Sequence, residues 1–256
     1  MRTSSNPALN RSPAFNGRGG PQTADPLEQA YAGPTATARD TGRMTVESVI
    51  ERTAIMLGIA VATGALTWAL DLGVLALPAG LVALGLGLFI IFKQVTNPAP
   101  MLVYAALEGV LLGAISQVFN ARYPGIVVQA VVGTGAVTAA MLGLYRSGRI
   151  RVTPKFTKMV VGATIGAFIL MVVNVVAGIF TDGGLGLRDG GPLAILFSLV
   201  VIAVAAVNLV LDFDMVVQGA KQGVPERYGW FAAFGILITL VWLYLEILRL
   251  LSYLRD

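Results

Sequence analysis

The sequence predicts an all-α fold, a polytopic transmembrane bundle of about seven helices. Three observations carry that expectation. Of 256 residues, 56% are hydrophobic and only 12% are charged, about half the charged share of a soluble domain. One soluble core cannot hide that much apolar surface. The apolar residues fall into seven continuous runs, each near the roughly 20 residues that cross a bilayer as a helix. These runs do not alternate with polar residues, as the strands of a membrane barrel would. The cations collect in short segments between the runs, where charge sets topology. The net charge of +4 therefore suggests no nucleic-acid partner, which would need a clustered basic face.

Residues 1–44 form a regime of their own, rich in Pro, Gly, Ser, Thr and Arg. They lack the aliphatic periodicity that could offset ordering entropy, so a disordered polar tail is expected. No apolar stretch follows the first positive charges, so the tail does not read as a signal peptide. The transmembrane domain is expected over 45–256. Its spans run from about Val49 to Leu70, Val74 to Phe92, Met101 to Phe119, Ile126 to Tyr145, Met159 to Phe180 and Leu193 to Leu211, with the seventh inside Phe231 to Leu254.

Lys and Arg near the span ends orient the chain. With the N-terminus in the cytoplasm, the inner segments hold eleven cations: Arg39, Arg43, Arg52, Lys93, Arg146, Arg149, Arg151, Lys155, Lys158, Lys221 and Arg227. The outer segments hold four: Arg122, Arg188, Arg249 and Arg255. The imbalance predicts a multi-pass cell-membrane protein with a cytoplasmic N-terminus. Seven spans put the C-terminus outside, unless the last segment is re-entrant. Gly109 with Gly113 and Gly162 with Gly166 have the four-residue spacing that lets helices approach closely. No internal repeat is evident, which argues against an inverted-repeat transporter.

The chain has no Cys and no His. That removes thiol chemistry, imidazole acid–base chemistry and Cys or His metal sites. A nucleophile elbow, a phosphate loop and a zinc-protease helix are all missing. No enzyme activity, no cofactor and no fixed metal site are expected.

What remains are ionisable residues at membrane depth, which are costly there and are functional candidates by default. They are Glu108, Asp212, Asp214, Glu246 and Arg249. Asp212 and Asp214 lie about 200° apart on a helix, so one can face the bundle and the other the cytoplasmic interface; both could also be end-of-helix charges near water. Glu246 stands in an apolar run with Arg249 at i+3, within reach of a same-helix ion pair. It is either a self-neutralised pair or an acid whose protonation is coupled to conformation. Glu108 could pair with Arg52 or Lys93, or line a pathway. Asp212 and Glu246 can meet only if the last helix breaks near Gly235, where Tyr228, Trp230, Phe231 and Phe234 read as an interfacial aromatic cluster. A span starting near Ile236 puts Glu246 roughly 15 Å deep, beside Asp212.

At these residues the chain resembles the Bax inhibitor-1 family, and within it the bacterial branch with a long polar tail. The resemblance rests on MTVESVIERTAIMLG, LEGVLLGAISQVFNARYPGIVVQAVVGT, RVTPKFTKMVVGATIGA, RDGGPLAILFSLVVI, LVLDFDMVVQGA and YGWFAAFGILITLVWLYLEILRLLSYL. It implies a central C-terminal helix wrapped by the others. It also implies a pH-sensitive calcium leak gated by carboxylates on the sixth and seventh helices. The sixth-helix motif favours Asp212 over Asp214, and the acid after L-Y-x falls on Glu246. Transient Ca²⁺ near Asp212 and Glu246 suits an oxygen-only site. The competing expectation is a non-conducting regulatory protein that binds other membrane proteins, such as proteases or stress factors.

Overall fold

In a computed structural model that describes residues 42–181 and 184–255, seven long helices form one bundle. They are α1 Val46–Ala69, α2 Ala76–Lys93, α3 Pro98–Arg122, α4 Ile126–Arg146, α5 Pro154–Phe180, α6 Pro192–Lys221 and α7 Tyr228–Tyr253, with a 3₁₀ turn at Gly73–Leu75 leading into α2. All seven spans expected from the sequence are helices long and apolar enough to cross a membrane. Most of the expected polar tail, with Arg39, lies outside the described residues.

Local chemistry sets where the helices begin. Thr45 Oγ1 accepts from Ser48 N (3.0 Å) and Ser48 Oγ accepts from Thr45 N (3.2 Å), a reciprocal cap on α1. Asn97 caps α3 and Thr153 caps α5, and Pro98, Pro154 and Pro192 occupy first-turn positions. There their missing N–H costs nothing and their fixed φ suits the helix.

The packing is centred on α7, which lies against α1, α3, α4 and α6. That is the central C-terminal helix the resemblance implied. Its two buried layers are a cluster around Phe234, Leu237 and Val241 and another around Leu243, Ile247 and Leu248. The α1–α3 pair is the most intimate. A Cβ on Gly113 would lie 2.7 Å from Gly64 Cα, and one on Gly109 would lie 2.7 Å from Ala60 Cα. Thr63 Oγ1 of α1 also donates to Ala106 O of α3 (3.0 Å). The expected close approach at Gly109 and Gly113 is thus present. At Gly162 and Gly166 it is not, because a Cβ on either would meet nothing within 4 Å. The reason is that α5 sits at the edge of the bundle and reaches α6 mainly through its other face, including the Asn208 Nδ2 to Thr164 Oγ1 bond (2.8 Å).

Both ends of the bundle are clasped. At one end, Arg43 bridges to Pro225, Met44 N donates to Val224 O (2.8 Å), and Arg52 pairs with Glu226 (2.7 Å) under a cation–π contact with Trp230. At the other, Gln117 Nε2 donates to Asp71 Oδ1 (2.7 Å), and Arg255 donates to Pro124 O and Gln129 Oε1. The start of α1 and the end of α7 therefore lie at opposite ends, and α7 crosses the bundle once without re-entry.

The expected break near Gly235 is absent. One uninterrupted helix runs from Tyr228 to Tyr253. Phe234 of the aromatic cluster faces into the bundle. It is 1% exposed and packs edge-on against Tyr104, with ring centroids 4.8 Å apart. No proline or π-bulge interrupts the helix at Gly235, and the packed turns on either side hold it straight.

Candidate functional site

The two aspartates of α6 separate as their spacing requires. Asp212 faces α7, where Thr239 Oγ1 donates to its Oδ2 at 2.7 Å. Asp214 faces α4, accepting from Tyr145 Oη (3.0 Å) and from Gln218 one turn on (3.4 Å). Neither aspartate has a cationic partner within ion-pair distance among the described residues.

Glu246 lies elsewhere. It is 1% exposed and receives three hydrogen bonds from two guanidinium groups. Arg188 Nη2 and Nη1 reach its two oxygens at 2.8 and 3.2 Å, and Arg249 Nη1 reaches Oε1 at 2.8 Å. The structure therefore does not bring Asp212 and Glu246 together. Because α7 is continuous, Thr239 takes the position beside Asp212. Glu246 lies two turns further on, about 10 Å along the axis.

Arg188 is the residue that sequence reasoning missed. In the sequence it reads only as a topology charge, the lone cation between the fifth and sixth runs. Its place depends on how the α5–α6 loop is pinned. Asn174 of α5 accepts with Oδ1 from Leu185 N (3.0 Å) and Leu187 N (3.4 Å). Gly184 turns the chain at φ +66, and a Cβ there would lie 2.6 Å from Asn174 O. Leu187 is then buried against Ala167 and Val201. Arg188 follows it onto the Phe197 ring (5.5 Å) and into the bundle. One signal was available: an asparagine inside the fifth run, which in a dry interior must find partners.

Glu108 is buried at mid-length of α3, one turn after Tyr104. The expected pairing with Arg52 or Lys93 does not occur. Arg52 is held by the Glu226 side chain (2.7 Å) and its backbone oxygen (2.6 Å), and Lys93 lies exposed at the end of α2.

Depth relates these groups. Glu108 is roughly 15 Å from the start of α3, Asp212 roughly 14 Å from the end of α6, and Thr239 roughly 17 Å from the start of α7. All three helix ends lie at the clasp of Arg43 and Pro225. The Tyr104–Phe234 and Ser116–Tyr244 contacts keep α3 and α7 in step. Among the described residues, two carboxylates without cationic partners thus lie at similar depth on α3 and α6, while Glu246 is ion-paired nearer the other end. Beside Glu246 a cleft of about 580 Å³ opens, lined by α3, α5, α7 and the α5–α6 loop.

A family model described as Bax inhibitor 1 like matches residues 6–256, nearly the whole chain. No curated protein matches it. The chain belongs to the Bax inhibitor 1 like family.

Proposed function

We propose that this member of the Bax inhibitor 1 like family is a pH-sensitive leak path for a hard cation such as Ca²⁺, with Asp212 and Glu108 as its carboxylates. The observation that carries the reading is the uncompensated acidic layer at mid-bundle. Carboxylates at membrane depth are expensive, and without a paired cation they attract a mobile one. Calcium takes oxygen ligands, and Asp212, Glu108, Thr239 and the backbone supply only oxygens. The pH sensitivity follows from sign: a proton on either carboxylate cancels the charge a cation needs, so acidification lowers flux. Glu246 has a different task here. Held by Arg188 and Arg249, it ties the α5–α6 loop to α7 and closes that end of the path.

The test is Ca²⁺ flux in proteoliposomes across a pH series. Asp212→Asn keeps an acceptor for Thr239 while removing the charge. It is expected to lower flux several-fold and to flatten its pH profile, and Glu108→Gln is expected to act in the same direction. Unchanged flux and an unchanged profile in the double variant would overturn the reading.

A second, non-conducting reading is favoured by one observation: among the described residues, a Cβ on Gly162 or Gly166 of α5 would meet nothing within 4 Å. Small-residue faces of this kind dock helices, so a membrane-protein partner regulated by this chain would sit there. A stoichiometric partner retained on purification together with absent flux would support it. Neither reading involves enzymatic chemistry.

A further inference from the structure

The cleft beside Glu246 has properties that a cation path does not use. Two guanidinium groups face one carboxylate there, and among the described residues Glu246 is the only acid within ion-pair distance of either. Asp189, next to Arg188, is exposed and instead accepts from Gly191 N (3.0 Å); it is not part of the lining. The described residues of the cleft therefore carry a net charge of about +1. Donor capacity is also left over. Both arginines reach the same Oε1, and Arg249 spends only Nη1 on it. Its side chain is 33% exposed.

Besides the polar Asn174, Ser252 and Tyr253, the rest of the lining is apolar. Met171, Val175, Trp242 and Leu245 continue the cleft inward from the arginines. Met171 lies roughly 14 Å from the end of α5 and Trp242 roughly 17 Å from the end of α7, so the cleft runs from the polar end to mid-bilayer depth. Because α5 packs mainly on α6, its Met171–Val175 face stands across the cleft from α3 and α7 instead of closing on them. The volume suits one small amphiphile and is too small for a further helix, which at a diameter of about 10 Å would fill it within roughly two turns. A soluble anion would leave the apolar half empty, and a lipid without net charge would leave the extra positive charge unbalanced.

We propose that this cleft is a lipid site. It takes one acidic phospholipid from the surrounding bilayer, with the headgroup phosphate on Arg249 and Arg188 and an acyl chain along Met171, Val175, Trp242 and Leu245. The inference is independent of whether the chain conducts cations.

Trp242 reports on it directly. In a full-length background carrying Trp68→Phe and Trp230→Phe, Trp242 is the remaining tryptophan. The protein is reconstituted with phosphatidylglycerol or phosphatidylcholine brominated on the acyl chains, and fluorescence quenching is titrated. One unmatched arginine predicts roughly a fivefold preference for the acidic lipid. Arg249→Gln is expected to bring the preference to about 1 on the same scale, while Arg249→Lys retains it. Arg188→Gln removes the same charge from the loop and serves if Arg249→Gln fails to fold. Equal quenching by the two lipids in the parent protein would overturn the proposal. Displacement of the brominated acidic lipid by inorganic phosphate alone would also overturn it, marking a site for free anions.

Discussion

At the scale of single residues, Glu246 and Asp212 are two acids in opposite circumstances. Glu246 is almost fully buried and ion-paired with Arg188 and Arg249. Removing one member of a buried charge cluster leaves its partners uncompensated, which costs about 3–5 kcal/mol. Glu246→Gln strands two guanidinium groups and is expected to destabilise by that amount. Arg188→Gln leaves Arg249 in place and forfeits hydrogen bonds to a charged group, about 1.5–3 kcal/mol. Asp212 needs only an acceptor for Thr239, so Asp212→Asn is expected to change stability by less than about 1 kcal/mol while altering flux. Thermal unfolding in detergent ranks the three. If Glu246→Gln unfolds no earlier than the parent chain, the account of the triad is wrong. The candidacy of both acids was visible from the run of apolar neighbours around each. Their partners were not, because Thr239 and Arg188 lie 27 and 58 residues away in the chain, and pairing at that range is decided by packing.

At the scale of helices, the same glycine spacing has two outcomes. Gly109 and Gly113 are in contact with Ala60 and Gly64 of α1, whereas Gly162 and Gly166 have open space around them. Gly113→Ala is expected to cost about 1–3 kcal/mol through overpacking. Gly162→Ala has no clash to meet and gains helix propensity, so it is expected to stabilise by about 0.5–1 kcal/mol. Opposite signs in a thermal melt support the assignment of faces; matching signs would contradict it. A glycine motif says that two backbones can approach but not which helix supplies the second backbone. Gly235 gives a related lesson. As a local signal it marks a possible break, but Phe234 against Tyr104 and Thr239 against Asp212 hold the helix straight on both sides. Tertiary contacts outweighed the roughly 1 kcal/mol that an interior glycine costs. That outcome moved Glu246 two turns away from where a broken helix would have put it.

At the scale of the whole molecule, the fold was legible because the bilayer does much of the specification. Its thickness sets the length of each run, an interior without water leaves only helices and closed barrels to satisfy the backbone, and the unalternating runs choose the helix. The seven spans followed from those constraints with no knowledge of contacts. Orientation rests on a different physical term, the excess of Lys and Arg at one end, and it can be tested without disturbing the site. The chain has no cysteine, so single-cysteine variants need no prior removals. Ser147 lies exposed between α4 and α5, at the basic end, and Leu185 is 46% exposed in the α5–α6 loop at the other. The two ends are one span apart, so a membrane-impermeant maleimide applied to intact cells must distinguish them if the bundle crosses the membrane. With the basic end in the cytoplasm, Leu185→Cys is expected to react at once and Ser147→Cys only after permeabilisation. The reverse order would put the Arg188 cleft in the cytoplasmic leaflet. It would leave the seven-helix bundle intact but invert which face of the membrane supplies its lipid. Simultaneous labelling of both positions would contradict the crossing itself.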